Sequence, residues 1–351
     1  MDGRERVRRA LTRREPDRIP KALAFFALSL PTIAPSTPED YFGLDVQFVD
    51  FDPPPDQDTF LVYLRNLPTD VHVGTLRQLR TYHEWDYHPE HEGAAALGSA
   101  KNLDELRRHV FPDLADPRRY ASLRKQVEAA HRAGRAAAGS PPHLGGELFE
   151  TAWRLRGFAA FMVDMVARRR LAEYLLDQLT ALLIHNALVL ANAGVDILLL
   201  DDDIAMPTDM LISPRMWREF FRPRMAEVIR LARAASPDLI FFYHSDGDFT
   251  RILPELIEIG IDAVNPVQPD CMDARAIKRE YGSRLAIWGA VGSAWTWDRS
   301  APARIRDEVR RCVEELGPEG YLACPAYDVD FTPLDNLRAF ADAVEEYGQI
   351  H

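Results

Sequence analysis

Three consecutive carboxylates are the first group of side chains that could do chemistry. Asp201, Asp202 and Asp203 directly follow the apolar run 197–200. At least one of them should point into a partly apolar site, where burial and mutual repulsion raise a carboxyl pKa. Such a group can donate a proton or bind a hard metal ion. We therefore expect Asp202 to act as an acid or base and Asp201 to contact the substrate; a solvated turn is the alternative.

A histidine and a carboxylate form the second group. His244 and Asp246 follow the apolar run 241–243, and Gly247 comes next. Alternate residues of a strand point to the same side, so the two side chains can act together as metal ligands or catalytic groups. The glycine would let a ligand approach the backbone closely. A lone histidine at a strand end is often structural, but the nearby carboxylate favours a functional site.

Further candidates share a position at or just after the end of a predicted strand. Tyr327 is a candidate catalytic residue. Cys324 is a candidate metal ligand beside His244 and Asp246, although a cysteine in an apolar strand is usually a core residue. An indole just past a strand end would most simply form the wall of a pocket. Besides Asp201, the candidate substrate-binding residues are Glu150, Asn265, Gln268 and Trp295.

The elements that must position these residues alternate regularly in the second half of the chain. Short apolar runs alternate with amphipathic helical segments, which is typical of βα units. The predicted strands are 195–202, 239–247, 263–268, 285–293 and 320–328, and the predicted helices are 213–236, 249–260, 273–281, 302–316 and 334–347. The strands are apolar almost throughout, as expected for a parallel sheet covered on both faces. This half predicts a barrel or a doubly wound sheet.

The first half is less regular but supplies further strands. Candidate strands lie at 19–26, 45–51 and 141–150, followed by helices at 152–166 and 172–193, and 59–91 is predicted to form an antiparallel hairpin or flap. We predict a (β/α)₈ TIM barrel over 1–351, one domain with the hairpin as an insertion. The active site of such a barrel lies at the carboxyl ends of the strands, where both groups of side chains fall.

Composition excludes several other classes of function. The net charge of −12 argues against a nucleic-acid partner and disfavours an anionic membrane surface. Three cysteines in 351 residues cannot form a disulfide framework, which favours a reducing cytoplasm. No apolar stretch of membrane-spanning length is free of polar interruptions. The sequence leaves the oligomeric state open, a homodimer included.

Five blocks of the sequence resemble the uroporphyrinogen decarboxylase-like superfamily. They are GRERVRRALTRREPDRIP, LLLDDDIAMPTDMLISPRMWREFFRPRM, YHSDGDFTRILPELIEIGIDAVNPVQPDCMD, IKREYGSRLAIWGAVGS and PLDNLRAFADAV. The resemblance runs from about residue 3 to 346 with the blocks in order, and it implies a TIM barrel. The superfamily contains the tetrapyrrole decarboxylases and the cobalamin-dependent methyltransferases, which move a methyl group between a corrinoid protein and a thiol or folate.

The chain departs from both branches at informative positions. The decarboxylases resemble one another in an arginine-rich segment after the first strand, but 21–35 has no arginine here. The methyltransferase branch is more similar, and its members bind zinc through His-x-Cys and a later cysteine. This chain has His244-x-Asp246 at the first place and Tyr327 at the second, with Cys324 three residues early. The resemblance thus leaves zinc, another divalent metal and no metal all open.

The function expected from the resemblance is methyl transfer on a small-molecule substrate. A corrinoid protein, carrying cobalamin, would be the methyl donor or acceptor, His244 and Asp246 would bind a metal or orient the substrate, and Asp202 would be the acid or base. One alternative is a cofactor-independent lyase or decarboxylase using the same carboxylates. The other is a non-catalytic ligand-binding barrel, which would not need the acid–base groups.

Overall fold

A computed structural model describes residues 1–26, 30–52, 95–109, 111, 115–141, 146–293, 297, 300–329 and 332–350. The predicted hairpin at 59–91 and Trp295 lie outside these residues.

The strands in the described residues form one parallel sheet and a small hairpin. In chain order they are β1 (Val46–Val49), β2 (Ala136–Gly139), β3 (Ile197–Asp201), β4 (Ala205–Met206), β5 (Asp209–Met210), β6 (Ile240–His244), β7 (Ala263–Asn265), β8 (Ala286–Val291) and β9 (Tyr321–Pro325). The sheet has the order β1-β2-β3-β6-β7-β8-β9, and every neighbouring pair is parallel. The antiparallel pair β4 and β5 stands in the loop after β3.

An extended segment around Lys21 joins the two edges of this sheet. Ala22 N donates to Ala323 O at 3.1 Å and Ala323 N donates to Pro20 O at 2.9 Å, so the segment pairs with β9. On its other side Asp45 N donates to Lys21 O at 3.1 Å, just before β1. The segment therefore takes the eighth strand position and closes the barrel, which confirms the predicted fold class.

Alternating side chains of the strands fill the barrel interior. Together with two side chains of the first helix, they form a cluster that is separate from the core between strands and helices. Its members are Val7, Leu11, Ala22, Val46, Ala136, Ala138, Ile197, Leu199, Ile240, Phe242, Ala263, Ala286, Trp288, Leu322 and Cys324. Small alanines face large aromatic rings, as a filled barrel requires. The same alternation continues past Leu199 to Asp201, past Phe242 to His244 and past Ala263 to Asn265, so these three polar residues form the next layer towards the barrel mouth.

The helices surround the barrel. They are Gly3–Leu11, Pro38–Phe42, Leu103–Arg107, Leu123–Arg132, Phe149–Arg156, Phe158–Ala167, Arg169–Ala193, Pro214–Phe220, Arg222–Ala235, Leu253–Ile259, Ala274–Tyr281, Pro302–Leu316 and Leu334–Tyr347. The predictions at 302–316 and 334–347 are confirmed. The helix predicted at 213–236 is interrupted at Phe221, because Pro223 lacks a backbone N–H and favours the start of a new helix.

The strand predicted at 141–150 was wrong. The strand is Ala136–Gly139, and a helix begins at Phe149, while 142–145 lie outside the described residues. Three successive alanines have little strand propensity on their own. They are suited to this position because the interior beside Trp288 and Phe242 has room only for small side chains.

The helix Arg169–Ala193 is long and apolar enough to span a membrane by length and composition alone. Half of its most apolar window is buried, and the helix packs against Phe158–Ala167 and Arg222–Ala235. Its buried leucines belong to the main core cluster. It is therefore explained by packing inside the protein, as a core helix.

The helix Gly3–Leu11 closes the amino-terminal end of the barrel. Val7 and Leu11 on one face of this helix belong to the interior cluster, whereas Glu5 is exposed. Arg6 is buried and donates to Asp45 at 2.6 Å and to Asp17 at 2.6 and 2.9 Å. A guanidinium shared by two carboxylates is well matched in geometry, and it ties the helix to the start of β1.

We expect Asp17→Asn to lower the free energy of unfolding at pH 7 by about 1 kcal/mol or less, because a side chain 39% exposed is screened by solvent. The hydrogen bond from Arg6 lowers the pKa of Asp17 from 3.8 to about 2. The stabilisation is therefore present above pH 4 and is lost as the pH falls towards 2. Urea unfolding at pH 7 and pH 3 should show a smaller difference at pH 3. Equal differences at both would contradict the ion pair.

Candidate active site at the barrel mouth

Strand register brings a histidine, a carboxylate and an amide side by side at the barrel mouth. Asp201 of β3 is paired with His244 of β6, and His244 is paired with Asn265 of β7. All three residues are at least nine-tenths buried. Parallel strands in register therefore place side chains that are far apart in sequence within contact distance of one another.

A hydrogen-bond chain orients the imidazole of His244. Asn265 Nδ2 donates to Trp288 O at 2.8 Å, and since a backbone carbonyl can only accept, the amide oxygen must face the histidine. His244 Nδ1 then donates to Asn265 Oδ1 at 2.5 Å. The ring of Phe25 stacks on the imidazole with centroids 3.9 Å apart. These contacts place the proton on Nδ1 and leave Nε2 facing the barrel mouth.

Three carboxylates surround Nε2 of His244. The distances to the nearest carboxylate oxygens are 3.5 Å for Asp203, 3.8 Å for Asp246 and 3.9 Å for Asp201. Asp246 N donates to Asp203 Oδ1 at 2.7 Å, which links the loops after β3 and β6. Asp246 is the most accessible of the three, with 43% of its side chain exposed, against 6% for the other two.

Burial shifts the protonation of this cluster towards neutral forms. Burial and the charge of Asp246 raise the pKa of Asp203 to about 7, and burial and the charge of Asp328 raise the pKa of Asp246 to about 7. Burial and the charge of Asp203 raise the pKa of Asp201 well above its ordinary value. Burial lowers the pKa of His244. Ionising all the carboxylates of this buried cluster would therefore be unfavourable, so the cluster favours bound protons or a bound cation.

Asp202 lies on the opposite side of the chain from its two neighbours. Its carboxylate accepts from Phe149 N at 2.9 Å and Glu150 N at 3.0 Å, and the residue is 1% exposed. It thus caps the helix Phe149–Arg156 by binding two N–H groups that have no partner within the helix. Although burial raises its pKa to about 7, this position suits a positioning role better than the acid–base role expected from sequence.

The two glutamates near the mouth lie behind the carboxylate cluster. Glu147 N donates to Asp201 O at 2.7 Å, and its carboxylate accepts from Asp201 N. Glu150, expected to bind substrate, is fully buried and accepts from Arg154 Nε at 2.9 Å and Nη2 at 2.5 Å. Its ion pair with Arg154 within the helix places it behind the carboxylate cluster.

Gln268 holds the loop that carries Asp246. Its Nε2 donates to Asp246 Oδ1 at 2.9 Å, and its Oε1 accepts from Gly247 N at 2.9 Å. Ser245 Oγ accepts from Ile204 N at 3.1 Å and so joins the same loop to the segment after β3. Gln268 was expected to bind substrate. Its side chain lies beside the carboxylate cluster, where its hydrogen bonds orient Asp246.

Cys324 and Tyr327 lie away from the carboxylates around His244. Cys324 faces the apolar interior cluster, is 1% exposed, and has a pKa raised by burial. Among the described residues, Asp201, Asp203 and His244 form a group of three possible metal ligands whose ligand atoms all lie within 4.8 Å of one another, and Cys324 does not belong to this group. Tyr327 lies at the rim, where its hydroxyl donates to Asp270 at 2.8 Å.

Asp203 is the main site residue that sequence reasoning did not select. It lies two residues after Asp201, the spacing at which extended residues point to the same side, and this signal was available in the sequence. Phe25, which stacks on His244, lies in the candidate strand 19–26, but one apolar residue within an apolar run gives no indication of a role in the site.

The fold and the site together define a class: a parallel barrel with acid and imidazole groups converging at the carboxyl ends of its strands. The chain belongs to the uroporphyrinogen decarboxylase (URO-D) family, whose sequence model matches residues 123–347. The match covers β3 and β6–β9, and with them the three carboxylates, His244 and Asn265. The resemblance noted from sequence is thereby confirmed.

The names of relatives similar to this chain indicate two different reactions. Methylcobamide:CoM methyltransferase MtaA of Methanosarcina barkeri is 27% identical over 188 residues, 54% of this chain and 52% of the relative, so the chain spans about half the length of this protein. Uroporphyrinogen decarboxylase of Salinibacter ruber is 26% identical over 262 residues, 70% of this chain and 68% of the relative. A methyltransferase structure from Methanosarcina mazei shares the fold, with TM-score 0.68, 20% identity and 99% of both chains covered.

We expect Gly247→Ala to destabilise the protein by roughly 3 kcal/mol, because backbone strain and a collision add. Gly247 has φ +80°, and an added Cβ would lie 2.5 Å from Met206 O. Gly43→Ala is the matched control: its φ is +62°, but the nearest atom to its Cβ, Lys21 Nζ, is 4.0 Å away. The control should lose only about 1 kcal/mol. Urea unfolding measures both, and equal losses would show that the collision is relieved at little cost.

Proposed function

We propose that this protein is a methyltransferase acting on a small molecule at the mouth of the barrel, with a corrinoid protein as methyl donor or acceptor. The observation that carries the proposal is the cluster of His244 with Asp201, Asp203 and Asp246, which offers acid–base groups at the strand ends. The similarity to MtaA, named a methylcobamide:CoM methyltransferase, supports the choice of reaction.

The residues present do not fit a zinc ion that activates a thiol. Such a zinc normally has thiolate ligands. The described cysteines are placed otherwise: Cys324 faces the apolar interior, Cys312 is buried, and Cys271 Sγ lies 3.5 Å from Gln268 Oε1. Asp246 occupies the place of the second ligand expected from the resemblance. No step is therefore assigned to a zinc–thiolate centre.

The chain's own contribution to the reaction is proton transfer and orientation. The corrinoid would supply or take up the methyl group, and the substrate atom that exchanges it must lose or gain a proton. Asp246 is the most exposed carboxylate of the cluster, and Gln268 fixes its orientation, so we assign it as the base. His244, oriented by Asn265, would orient the substrate from the floor of the site, either directly or through a bound metal ion.

The remaining candidate residues receive supporting roles in this proposal. Asp202 positions the helix Phe149–Arg156 behind the site, Glu150 is held within that helix by Arg154, and Tyr327 forms part of the rim. Trp295 stays a predicted pocket wall.

The setting in which the protein works is also proposed. The described cysteines are free thiols, which suits a reducing cytoplasm. The charge of −12 disfavours nucleic acid and anionic membranes as partners. A homodimer and a single domain over 1–351 remain proposals.

The test is methyl transfer to and from free cobalamin, followed by the absorbance change between methylcobalamin and cob(I)alamin. We expect Asp246→Asn to lower the rate by roughly 100-fold or more while preserving the fold, because it removes the proton acceptor and keeps the shape. Asp209→Asn is the control, since Asp209 is 53% exposed on the neighbouring hairpin and pairs with Arg251. Wild-type protein that transfers no methyl group to or from thiol, amine or oxygen compounds would overturn the proposal.

We expect no decarboxylation of uroporphyrinogen, the reaction named by the Salinibacter ruber relative. The segment 21–35 has no arginine, and the mouth presents carboxylates to a substrate that is itself polyanionic. Each unpaired carboxylate brought into a partly dry site would cost several kcal/mol, on the order of what a buried ion loses on desolvation. Mass spectrometry after anaerobic incubation would detect lost carboxylates, and turnover at ordinary enzymatic rates would favour the lyase alternative.

A further inference from the structure

We propose that Asp201, Asp203 and His244 bind a divalent metal ion that accepts both imidazole and carboxylate ligands, such as Mn²⁺ or Zn²⁺. One ligand atom from each of these residues lies within 4.8 Å of the others. This set differs from the ligands expected from sequence, which were His244, Asp246 and Cys324. The inference concerns binding and does not depend on the methyl transfer proposed above.

The imidazole is prepared as a ligand independently of the carboxylates. His244 is 6% exposed, and its Nδ1 is occupied by Asn265, whose amide is held in turn by Trp288 O. Nε2 therefore carries the lone pair, and it points at Asp203 and Asp201 at 3.5 and 3.9 Å. A lone pair facing carboxylate oxygens is repulsive unless a proton or a cation lies between them. Metal-binding histidines are usually oriented by an outer hydrogen bond of this kind.

Burial distinguishes these two carboxylates from an acidic patch on the protein surface. The side chains of Asp201 and Asp203 are each 6% exposed, so their negative charges are far from the solvent that would otherwise stabilise them. The loop holds Asp203 in place through the bond from Asp246 N. The separations of 3.5 and 3.9 Å between Nε2 and the two carboxylates are close to those of donors around one ion with metal–ligand distances of about 2.0 to 2.2 Å, and all three ligand atoms lie within 4.8 Å of one another.

The chemistry of the donors selects the class of metal. Two carboxylates and one imidazole provide oxygen and nitrogen ligands without sulfur, which suits Mn²⁺ or Zn²⁺ better than a soft, thiolate-preferring ion. Asp246, 3.8 Å from Nε2 and 43% exposed, lies beside this set on the side of the barrel mouth. A metal held by three protein ligands keeps positions open for water or substrate.

The test is equilibrium Mn²⁺ binding to chelator-treated, full-length protein, measured by the electron paramagnetic resonance signal of free Mn²⁺, with Zn²⁺ as competitor. Wild type should bind one Mn²⁺ per chain, displaceable by Zn²⁺. Asp203→Asn keeps the side-chain shape and should weaken binding at least tenfold. Asn265→Ala should weaken it by roughly 10- to 100-fold by releasing the imidazole. Cys324→Ala and the exposed Asp209→Asn should bind like wild type.

Two controls distinguish loss of metal binding from loss of folding and from loss of activity. Circular dichroism without metal shows whether each variant is folded, and if Asn265→Ala is not, His244→Gln replaces it. Added Mn²⁺ should raise the melting temperature of wild type but not of Asp203→Asn. Absence of saturable binding to wild type, equal affinity in Asp203→Asn, or loss of binding in Cys324→Ala would each overturn the proposal. Inactive protein that binds Mn²⁺ as expected would instead count against methyl transfer alone.

Discussion

The register between β3, β6 and β7 is the constraint on which the site depends. It sets Asp201 beside His244 and His244 beside Asn265, one layer above the apolar interior of the barrel. A shift of one residue in any of these strands would turn its polar residue outward and bring an apolar one into the mouth. The interior packing opposes such a shift, because Leu199 and Phe242 would leave the barrel at the same time. The packing of the barrel interior therefore fixes the positions of the site residues above it.

The same core sets the electrostatics of the site. Residues directly below the polar layer are apolar, so carboxylates above them lose solvation and their pKa values rise. Fixed dipoles offset part of this loss: backbone N–H groups bind Asp202 and Asp203, and the amide of Gln268 binds Asp246. Negative charge at Asp201 and Asp203 therefore favours a positive ligand between them. This links the burial of the layer to the kind of ligand that it can bind.

Sequence reasoning predicted the second half of the barrel better than the first. Strands rich in bulky apolar residues, such as Ile240–His244, can be predicted from their composition. They also end in residues that form the site. The strand Ala136–Gly139 cannot be predicted in this way, because alanine has low strand propensity. Its alanines fit the limited space beside Trp288 in the barrel interior. The closing segment at Lys21 falls within the candidate strand 19–26, although its pairing with β9 consists of only a few hydrogen bonds.

The three consecutive aspartates show why residue type alone could not assign roles. Alternation sends Asp201 and Asp203 towards His244, while Asp202, between them, turns to the N–H groups of Phe149 and Glu150. All three have pKa values raised by burial, so the shift by itself does not distinguish a reactive carboxylate from a structural one. The hydrogen-bond partners distinguish the two kinds. An aspartate bonded to the start of a helix stabilises that helix, whereas an aspartate facing an imidazole lone pair can bind a ligand. In this barrel the middle aspartate stabilises the start of the helix Phe149–Arg156, behind the two aspartates that face His244.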